Sequence, residues 1–366
     1  MYAPLRSLLF QLDPETAHDL TVHTLAAMQR LPGTGALLRL ARGGTVPPVP
    51  VRIMGMDLAN PVGLAAGLDK NAECTCALAQ FGFGWLEVGT VTPRPQSGNL
   101  PPRMFRLPEH GAIINRMGFN NVGLALFLNN LASCKPACPV GVNIGKNRDT
   151  PLERANDDYV DALRAVYPHA DYVTVNISSP NTIGLRDLQQ SEHLDSLLAA
   201  LKREQTVLAE QHGQYVPIAL KIAPDLDDGQ IAAIAMLVRA HRFDAVIATN
   251  TTLARAGVED HPLGNEAGGL SGRPLKTPST IVVGKLFAHL KGEVPIIGVG
   301  GIETAEDAWG KLLAGADAVQ VYSALIYRGP GLVREIVTGL AERVARAGTA
   351  TLAEAVARER AKKPSS

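Results

Sequence analysis

Three stretches near the C-terminus, DAVIATN (244–250), PIIGVGG (295–301) and DAVQVYS (317–323), share one pattern: an Asp or Pro start, a short Val/Ile run, then small polar or glycine residues. Near-continuous apolar runs of this length suit strands buried on both faces, as in parallel sheets. Working back along the chain, five more such runs occur: PVGLAAG (61–67), WLEVGT (85–90), PVGVNIG (139–145), DYVTVNIS (171–178) and PIALKIA (217–223). Helical stretches separate them. Eight strand–helix repeats match the count of a (β/α)8 barrel. A doubly wound sheet would need a reversal of strand order and a nucleotide-binding turn. Gly298-Val299-Gly300-Gly301 has the wrong spacing for such a turn, and Gly33-Thr34-Gly35 has no third glycine. The expected fold class is therefore α/β, a (β/α)8 TIM barrel with a small N-terminal helical extension.

That extension is residues 1–45, with the barrel domain over 46–366. Leu5, Leu8, Leu9 and Leu12 recur at helical spacing. Asp13-Pro14-Glu15 reads as N-cap, first-turn proline and acidic first turn, opening a helix to about Arg30 with a stripe of His18, Val22, Leu25 and Met28. Pro32-Gly33 ends it, and Leu37, Leu38 and Ala41 continue on a third helix. Prolines 47, 48 and 50 read as a linker. The helices carry Arg6, Arg30, Arg39 and Arg42, opposed by Asp13, Glu15 and Asp19, so any pull toward lipid must come from apolar area. Two insertions interrupt the repeats. RMFRL (103–107) and AIIN (112–115) flank PEHG as a hairpin over the barrel mouth, and GNEAGGLSGRPL (264–275) reads as a long functional loop.

Composition narrows the function. Among 366 residues, 35 Lys+Arg balance 35 Asp+Glu, which argues against a nucleic-acid partner. The 4 cysteines, Cys74, Cys76, Cys134 and Cys138, have neither zinc nor Fe–S spacing and read as inert or exposed thiols of a cytosolic chain, with no metal site. No run reaches the roughly 18 apolar residues of a membrane span. Gln11 and Asp13 end the Leu8-Leu9-Phe10 run too early for a signal peptide.

A barrel builds its active site at the C-terminal ends of its strands. There the sequence places Asp69-Lys70-Asn71, Thr90, Asn143, Asn176, Ser178 to Asn181, Lys221, Thr249 to Thr251, Gly300-Gly301 and Tyr322-Ser323. Amides, hydroxyls and two lysines suit a planar ligand rich in carbonyl and imide groups. Glycines after the seventh strand and Tyr322-Ser323 after the eighth lie where barrels commonly bind phosphate. Lys221, inside an apolar run, has three open roles: Schiff-base nucleophile, fixed charge beside a ring that becomes anionic, or strand-holding ion pair. Lys70 poses the same question, with Asp69 as a neighbouring partner. Ser179 has no His or carboxylate close in sequence and no nucleophile elbow, so by itself it reads as a hydrogen-bond donor.

Taken together and in order, AAGLDKNAE (65–73), PRPQ (93–96), PRMFRL (102–107), NRMGFNN (115–121), VNIGKN (142–147), VNISSPNTIGLR (175–186), GGLSGRPL (268–275), GVGGI (298–302) and VYSALIYRGP (321–330) resemble the dihydroorotate dehydrogenase family. The resemblance is to its class 2, quinone-dependent branch and extends through the leader FQLDPETAH (10–18). It implies oxidation of (S)-dihydroorotate to orotate in de novo pyrimidine synthesis. It also implies one non-covalent FMN per chain, contacting Ala66, Gly67, Lys70, Thr90, Asn143, Asn176, Lys221, Thr249, Gly272, Gly301, Tyr322 and Ser323. Substrate would be held by Lys70, Asn115, the stretch Arg116, Met117, Gly118 and Phe119, and by Asn176, Asn181, Asn250 and Thr251. By the same resemblance Ser179 becomes the general base, with Thr182 as its proton relay. Other branches use cysteine there, and this loop has none. With no dinucleotide fingerprint and no Fe–S cysteine set, reduced flavin must meet an external acceptor; the resemblance implies ubiquinone or menaquinone, with His18 and Arg106 lining its tunnel. The expectation is a peripheral protein on the cytoplasmic face of the bacterial inner membrane, touching lipid and needing no partner protein.

Overall fold

The computed structural model describes residues 2–182 and 184–362. Eight strands form the barrel: β1 (Val62–Leu64), β2 (Trp85–Val91), β3 (Val140–Ile144), β4 (Tyr172–Asn176), β5 (Ile218–Ile222), β6 (Ala245–Ala248), β7 (Ile296–Val299) and β8 (Ala318–Val321). They are parallel, follow one another in chain order, and close where β8 pairs with β1. Each coincides with one of the eight apolar runs, β2 extending one residue past its run to Val91. The register sets Gly89 of β2 beside Asn143 of β3, and Asn176 of β4 beside Lys221 of β5.

Alternation along the strands divides the residues between two environments. Trp85, Tyr172, Ala219, Ala245, Ile247, Ile297 and Ala318 pack together inside the barrel. Their neighbours, among them Leu86, Val142, Val173, Leu220, Val246 and Val319, pack outward under the helices. The large rings fit inside because facing positions are glycine. A Cβ on Gly63 would lie 2.2 Å from the Trp85 ring, and one on Gly141 would lie 2.1 Å from the Tyr172 ring.

The three leading helices are α1 (Tyr2–Leu9), α2 (Pro14–Gln29) and α3 (Thr34–Ala41). Asp13 caps α2 as expected, its side chain accepting from the N–H groups of Glu15 and Thr16. Val22, Leu25 and Leu38 join one buried cluster with Leu78, Phe81 and Phe83 of the barrel domain. An ion pair of 2.7 Å between Glu15 and Arg103 ties α2 to the barrel mouth. The extension thus shares the barrel's own core.

Three features depart from expectation. Residues taken as a linker lead into a small antiparallel hairpin, Val51–Ile53 with Met56–Leu58, whose Ile53 and Leu58 pack against the barrel interior. Its turn needs positive φ at both Met54 (φ 52) and Gly55 (φ 76). Asn-Gly is the usual signal for such a turn, and methionine hides it. The glycine-rich insertion contains a strand, Gly269–Gly272, which adds to the predicted hairpin (Met104–Leu107 with Ala112–Asn115) and makes a three-stranded sheet. Glycine is depleted in strands, but here close approach demands it. A Cβ on Gly272 would sit 2.2 Å from the Gly111 carbonyl oxygen, and one on Gly269 would sit 1.9 Å from Thr251 Oγ1. Finally, the cysteines are not all thiols. Cys76 and Cys134, 58 positions apart with Cα atoms at 6.2 Å, form a disulfide, while Cys74 and Cys138 are free. The partners come from different close-spaced pairs, so spacing conceals the bond.

Gly63→Ala would force a methyl group into the Trp85 ring. The expected cost is roughly 1–3 kcal/mol, read as a lower melting temperature. An unchanged melting temperature would show that the ring has room to move.

Candidate active site

At the C-terminal rim of the barrel lies one open cleft of about 1180 Å³, counted to its mouth. β1 and its following turn contribute Ala66, Gly67 and Lys70, and β2 contributes Thr90. The covering sheet and the turn after it supply Asn115, Met117, Gly118, Phe119 and Gly272. Asn176 ends β4, Ser179 and Asn181 follow it, Lys221 stands on β5, and Thr249, Asn250 and Thr251 follow β6. Gly301 after β7 and Tyr322 and Ser323 after β8 complete the wall.

Five expected site residues are not in that wall. Asn143 lies one layer below, donating to Glu87 Oε1 at 2.8 Å and accepting from Thr90 Oγ1 and Asn176 Nδ2. The Arg116 side chain turns away to Glu266 at 2.7 Å and stacks on Phe105. Thr182 is buried, its Oγ1 without a partner. Arg106 donates to the carbonyls of Leu9 and Leu12 and lies over the Phe10 ring at 4.5 Å, closing the C-terminal end of α1. His18 sits on α2, where burial, then Lys70 and His23, push its pKa down to about 3. It is therefore a neutral imidazole at physiological pH.

Below the cleft, an enclosed carboxylate organises the wall. Glu87 of β2 accepts from Asn143 and pairs with Lys221 Nζ at 3.4 Å through Oε1. Its Oε2 accepts from Tyr172 OH at 2.9 Å and Gln320 Nε2 at 2.8 Å. Burial raises the Glu87 pKa, but the Lys221 ammonium and the hydrogen bonds from Gln320, Asn143 and Tyr172 outweigh it and hold the carboxyl below its ordinary value. Lys221 is thus an ion-pair partner and a cleft residue at once. Glu87 was not anticipated, although a carboxylate inside the run WLEVGT is as unusual as the lysine inside PIALKIA, and the two oddities point at each other.

Lys70 does not pair with Asp69. The Asp69 carboxylate accepts instead from the N–H groups of Glu73 and Cys74, pinning the turn. Lys70 faces α2 and the mouth. Burial lowers its pKa to about 8, with Glu15 and Asp19 raising it and Arg103 lowering it.

The asparagines form a connected set. Asn176 Nδ2 donates to Thr90 Oγ1 at 3.0 Å, and Asn250 Nδ2 donates to Ser178 Oγ at 3.0 Å. Asn181 Nδ2 donates to the Asn115 carbonyl at 3.1 Å. Among the described residues, Ser179 Oγ accepts only from Asn181 N–H, at 3.3 Å, and it is buried at the cleft edge. Thr251 Oγ1 is buried without a partner. The arrangement can grip a flat polar ring at its edges and offers one hydroxyl to a ring atom.

Fold and site together define a (β/α)8-barrel enzyme for a small polar ring compound. The family model for dihydroorotate dehydrogenase matches residues 49–344. The chain is 58% identical over 348 residues to "Dihydroorotate dehydrogenase (quinone)" of Nitrosomonas europaea, covering 95% of this chain and 100% of that one. It is also 58% identical over 342 residues to the protein of the same name from Thiobacillus denitrificans, with coverage of 93% and 100%. Among solved structures, the DHODH of Eimeria tenella in complex with ferulenol superposes with a TM-score of 0.85 at 40% identity, covering 94% of this chain and 95% of that one. The chain belongs to the dihydroorotate dehydrogenase family, whose members in general depend on a flavin.

Glu87→Gln leaves the Lys221 ammonium buried without its carboxylate, at an expected cost of about 3–5 kcal/mol. Because the Glu87 pKa is lower folded than unfolded, its stabilising share is full above the ordinary value of 4.5 and is lost as pH falls through the native value. Urea unfolding between neutral and acidic pH should show that acid limb shallower in the variant. Parallel pH profiles for the two proteins would contradict the assignment.

Proposed function

We propose that the cleft binds one FMN per chain without a covalent bond, next to dihydroorotate, and that the leading helices deliver a quinone to it. The enzyme oxidises dihydroorotate to orotate in pyrimidine biosynthesis with a quinone as acceptor. The observation that carries the site assignment is the convergence of Lys70, Asn115, Asn176, Ser179, Asn181 and Asn250, from distant segments, on one wall.

The residues fit a flavin. Gly67, at φ +110, has open space where a Cβ would stand, so ring atoms can approach the backbone. Lys221, anchored by Glu87, supplies a fixed positive charge for a ring that gains electrons. Ala66, Thr90, Asn143, Asn176, Thr249 and Gly272 would surround or support the ring, and Gly301, Tyr322 and Ser323 would hold its phosphate. When bound, FMN supplies the hydride acceptor and the electron store that the quinone empties.

For the substrate, the amides of Asn115, Asn176, Asn181 and Asn250 and the hydroxyl of Thr251 match alternating carbonyl and N–H groups, and an analogue lacking those groups forfeits these hydrogen bonds. Lys70 lies at the side of both ring sites. The stretch from Arg116 to Phe119 contributes backbone and apolar surface, since the Arg116 guanidinium points outward. Ser179 Oγ takes the proton from the ring carbon adjacent to the one that loses hydride. Serine is a weak base at neutral pH, so its own proton needs an outlet, and Thr182 Oγ1 in the same loop is available for that relay.

The acceptor side rests on exposed apolar surface. Leu5, Leu8, Leu12, Leu20, Leu31, Leu37 and Leu40 are exposed on or beside α1–α3, half of the exposed large apolar side chains among the described residues. No described helix is long and apolar enough to cross a membrane. An apolar layer of Phe10, Met104, Ile113, Met117 and Tyr327 runs from the end of α1 to the cleft, where Met104, Ile113 and Met117 line the wall. Arg106, over the Phe10 ring, flanks this approach, and His18 of α2 is assigned to it by the family resemblance alone. The protein then sits on the lipid surface of the cytoplasmic face of a bacterial inner membrane, and ubiquinone or menaquinone enters between the helices and the covering sheet.

An anaerobic absorbance spectrum tests the core of this reading. Dihydroorotate should bleach a bound flavin band, and a ubiquinone analogue should restore it. A flavin that stays oxidised would overturn the substrate. In Ser179→Ala the band should remain but bleach about 10²–10⁴-fold more slowly, and an unchanged stopped-flow rate would remove the serine from the mechanism. The exposed pair Leu37→Glu with Leu40→Glu should keep flavin reduction while losing liposome sedimentation and most quinone turnover. Full quinone turnover without liposome binding would refute the helical entry.

A further inference from the structure

On the helix Ala305–Ala314 that follows β7, Lys311 is fully buried. Its ammonium donates to three neutral oxygens at the start of the helix Lys276–Leu290: the Lys276 carbonyl at 3.0 Å, Thr280 Oγ1 at 2.7 Å, and Ser279 Oγ. No carboxylate forms an ion pair with it among the described residues. Asp307, the acidic group acting on it, has its oxygens engaged by Lys276 Nζ at 2.7 Å and by the N–H groups of Glu303 and Thr304. Burial lowers the Lys311 pKa to about 7, with Asp307 raising it and Lys276 lowering it further. A buried cation on neutral acceptors is costly unless a compensating negative charge lies nearby.

The acceptors show where that charge would be. Ser279 Oγ also donates to the Gly300 carbonyl at 3.2 Å. Gly301 lies against the Lys276 backbone so tightly that a Cβ would be 2.4 Å from its nitrogen. Gly300 and Gly301 are the cleft turn after β7. Two short connections, through Ser279 and through the Lys276 peptide, therefore join the hidden ammonium to the turn assigned above to the FMN phosphate.

We infer that Lys311 is a positioning residue for the cofactor phosphate: from behind the Gly300–Gly301 turn it fixes the turn's backbone and supplies a buried positive charge to the dianion in front. This rests on the FMN reading. Lys311 touches neither cofactor nor substrate, so its effect must appear as discrimination for the phosphate and not as loss of the ring site.

The test compares FMN with riboflavin, which has the same ring and no phosphate. The full-length chain, stripped of flavin, is titrated with each by fluorescence quenching, with circular dichroism as a check on folding. Wild type should prefer FMN strongly. Lys311→Met should lose about tenfold or more of that preference, the size of a charged hydrogen bond, with riboflavin affinity unchanged. Ser279→Ala, which cuts the link to Gly300 and keeps the lysine, should move the ratio the same way by less, and it decides the matter if Lys311→Met does not fold. A wild-type chain with no preference for FMN would overturn the cofactor reading and this inference with it. A preference that survives both substitutions, or equal losses for both ligands, would overturn the role of Lys311 alone.

Discussion

The carboxylate of Glu87 is enclosed in the barrel and held by Lys221, Tyr172, Asn143 and Gln320. These partners belong to β5, β4, β3 and β8, so one side chain on β2 bonds to four of the seven other strands. An ion in this position would cost several kcal/mol if left bare. Here each oxygen has two partners, which satisfies the charge and fixes four side chains at one height. Asn143 then orients Asn176, and Lys221 is held facing the cleft, so the wall inherits its geometry from a group that never reaches it.

Layers above and below depend on that polar floor in different ways. Beneath it Trp85 and Tyr172 fill the barrel because Gly63 and Gly141 leave them room, and the Ile53/Leu58 hairpin packs against the same interior. Tyr172 belongs to both layers, its ring in the apolar fill and its hydroxyl on Glu87. Above, neutral amides and hydroxyls bond to one another and to the Asn115 carbonyl at 3.0–3.3 Å, with no charged partner in the set. A rigid lower network with a more lightly bonded upper one suits a site that must hold a ring in place yet exchange its hydrogen bonds for those of a ligand.

The barrel was legible because parallel barrel strands are buried on both faces and leave unbroken Val/Ile runs, and all eight runs contain a strand. The α2 cap was legible because Asp13-Pro14-Glu15 is a local signal. What stayed hidden was set by tertiary contact. Met54 obscures a positive-φ turn, close approach selects the glycines of the 269–272 strand, and Cys76 meets Cys134 across 58 positions. In the site, residues at the ends of seven strands were found where barrel geometry puts them, while Asn143, at the end of β3, lies one layer below the wall. Glu87 and Gln320, inside their runs, and Lys311, on a helix behind the rim, were not. Resemblance supplied His18 and Arg106, and neither borders the cleft itself.

Lys70 is where the helical extension and the barrel act on one another. It lines the cleft, and burial lowers its pKa to about 8, against Glu15 and Asp19 of α2, which raise it, and with Arg103 at the mouth, which lowers it further. Glu15 is itself tied to Arg103 at 2.7 Å, so the carboxylate that supports the lysine's charge is also the one that docks α2. A shift of α2 would break that pair, admit water to Lys70 and alter the charge presented to an anionic substrate. The helices that carry the exposed leucines thereby also bear on the electrostatics of the cleft, and removing them as an independent module would change the charge balance at Lys70.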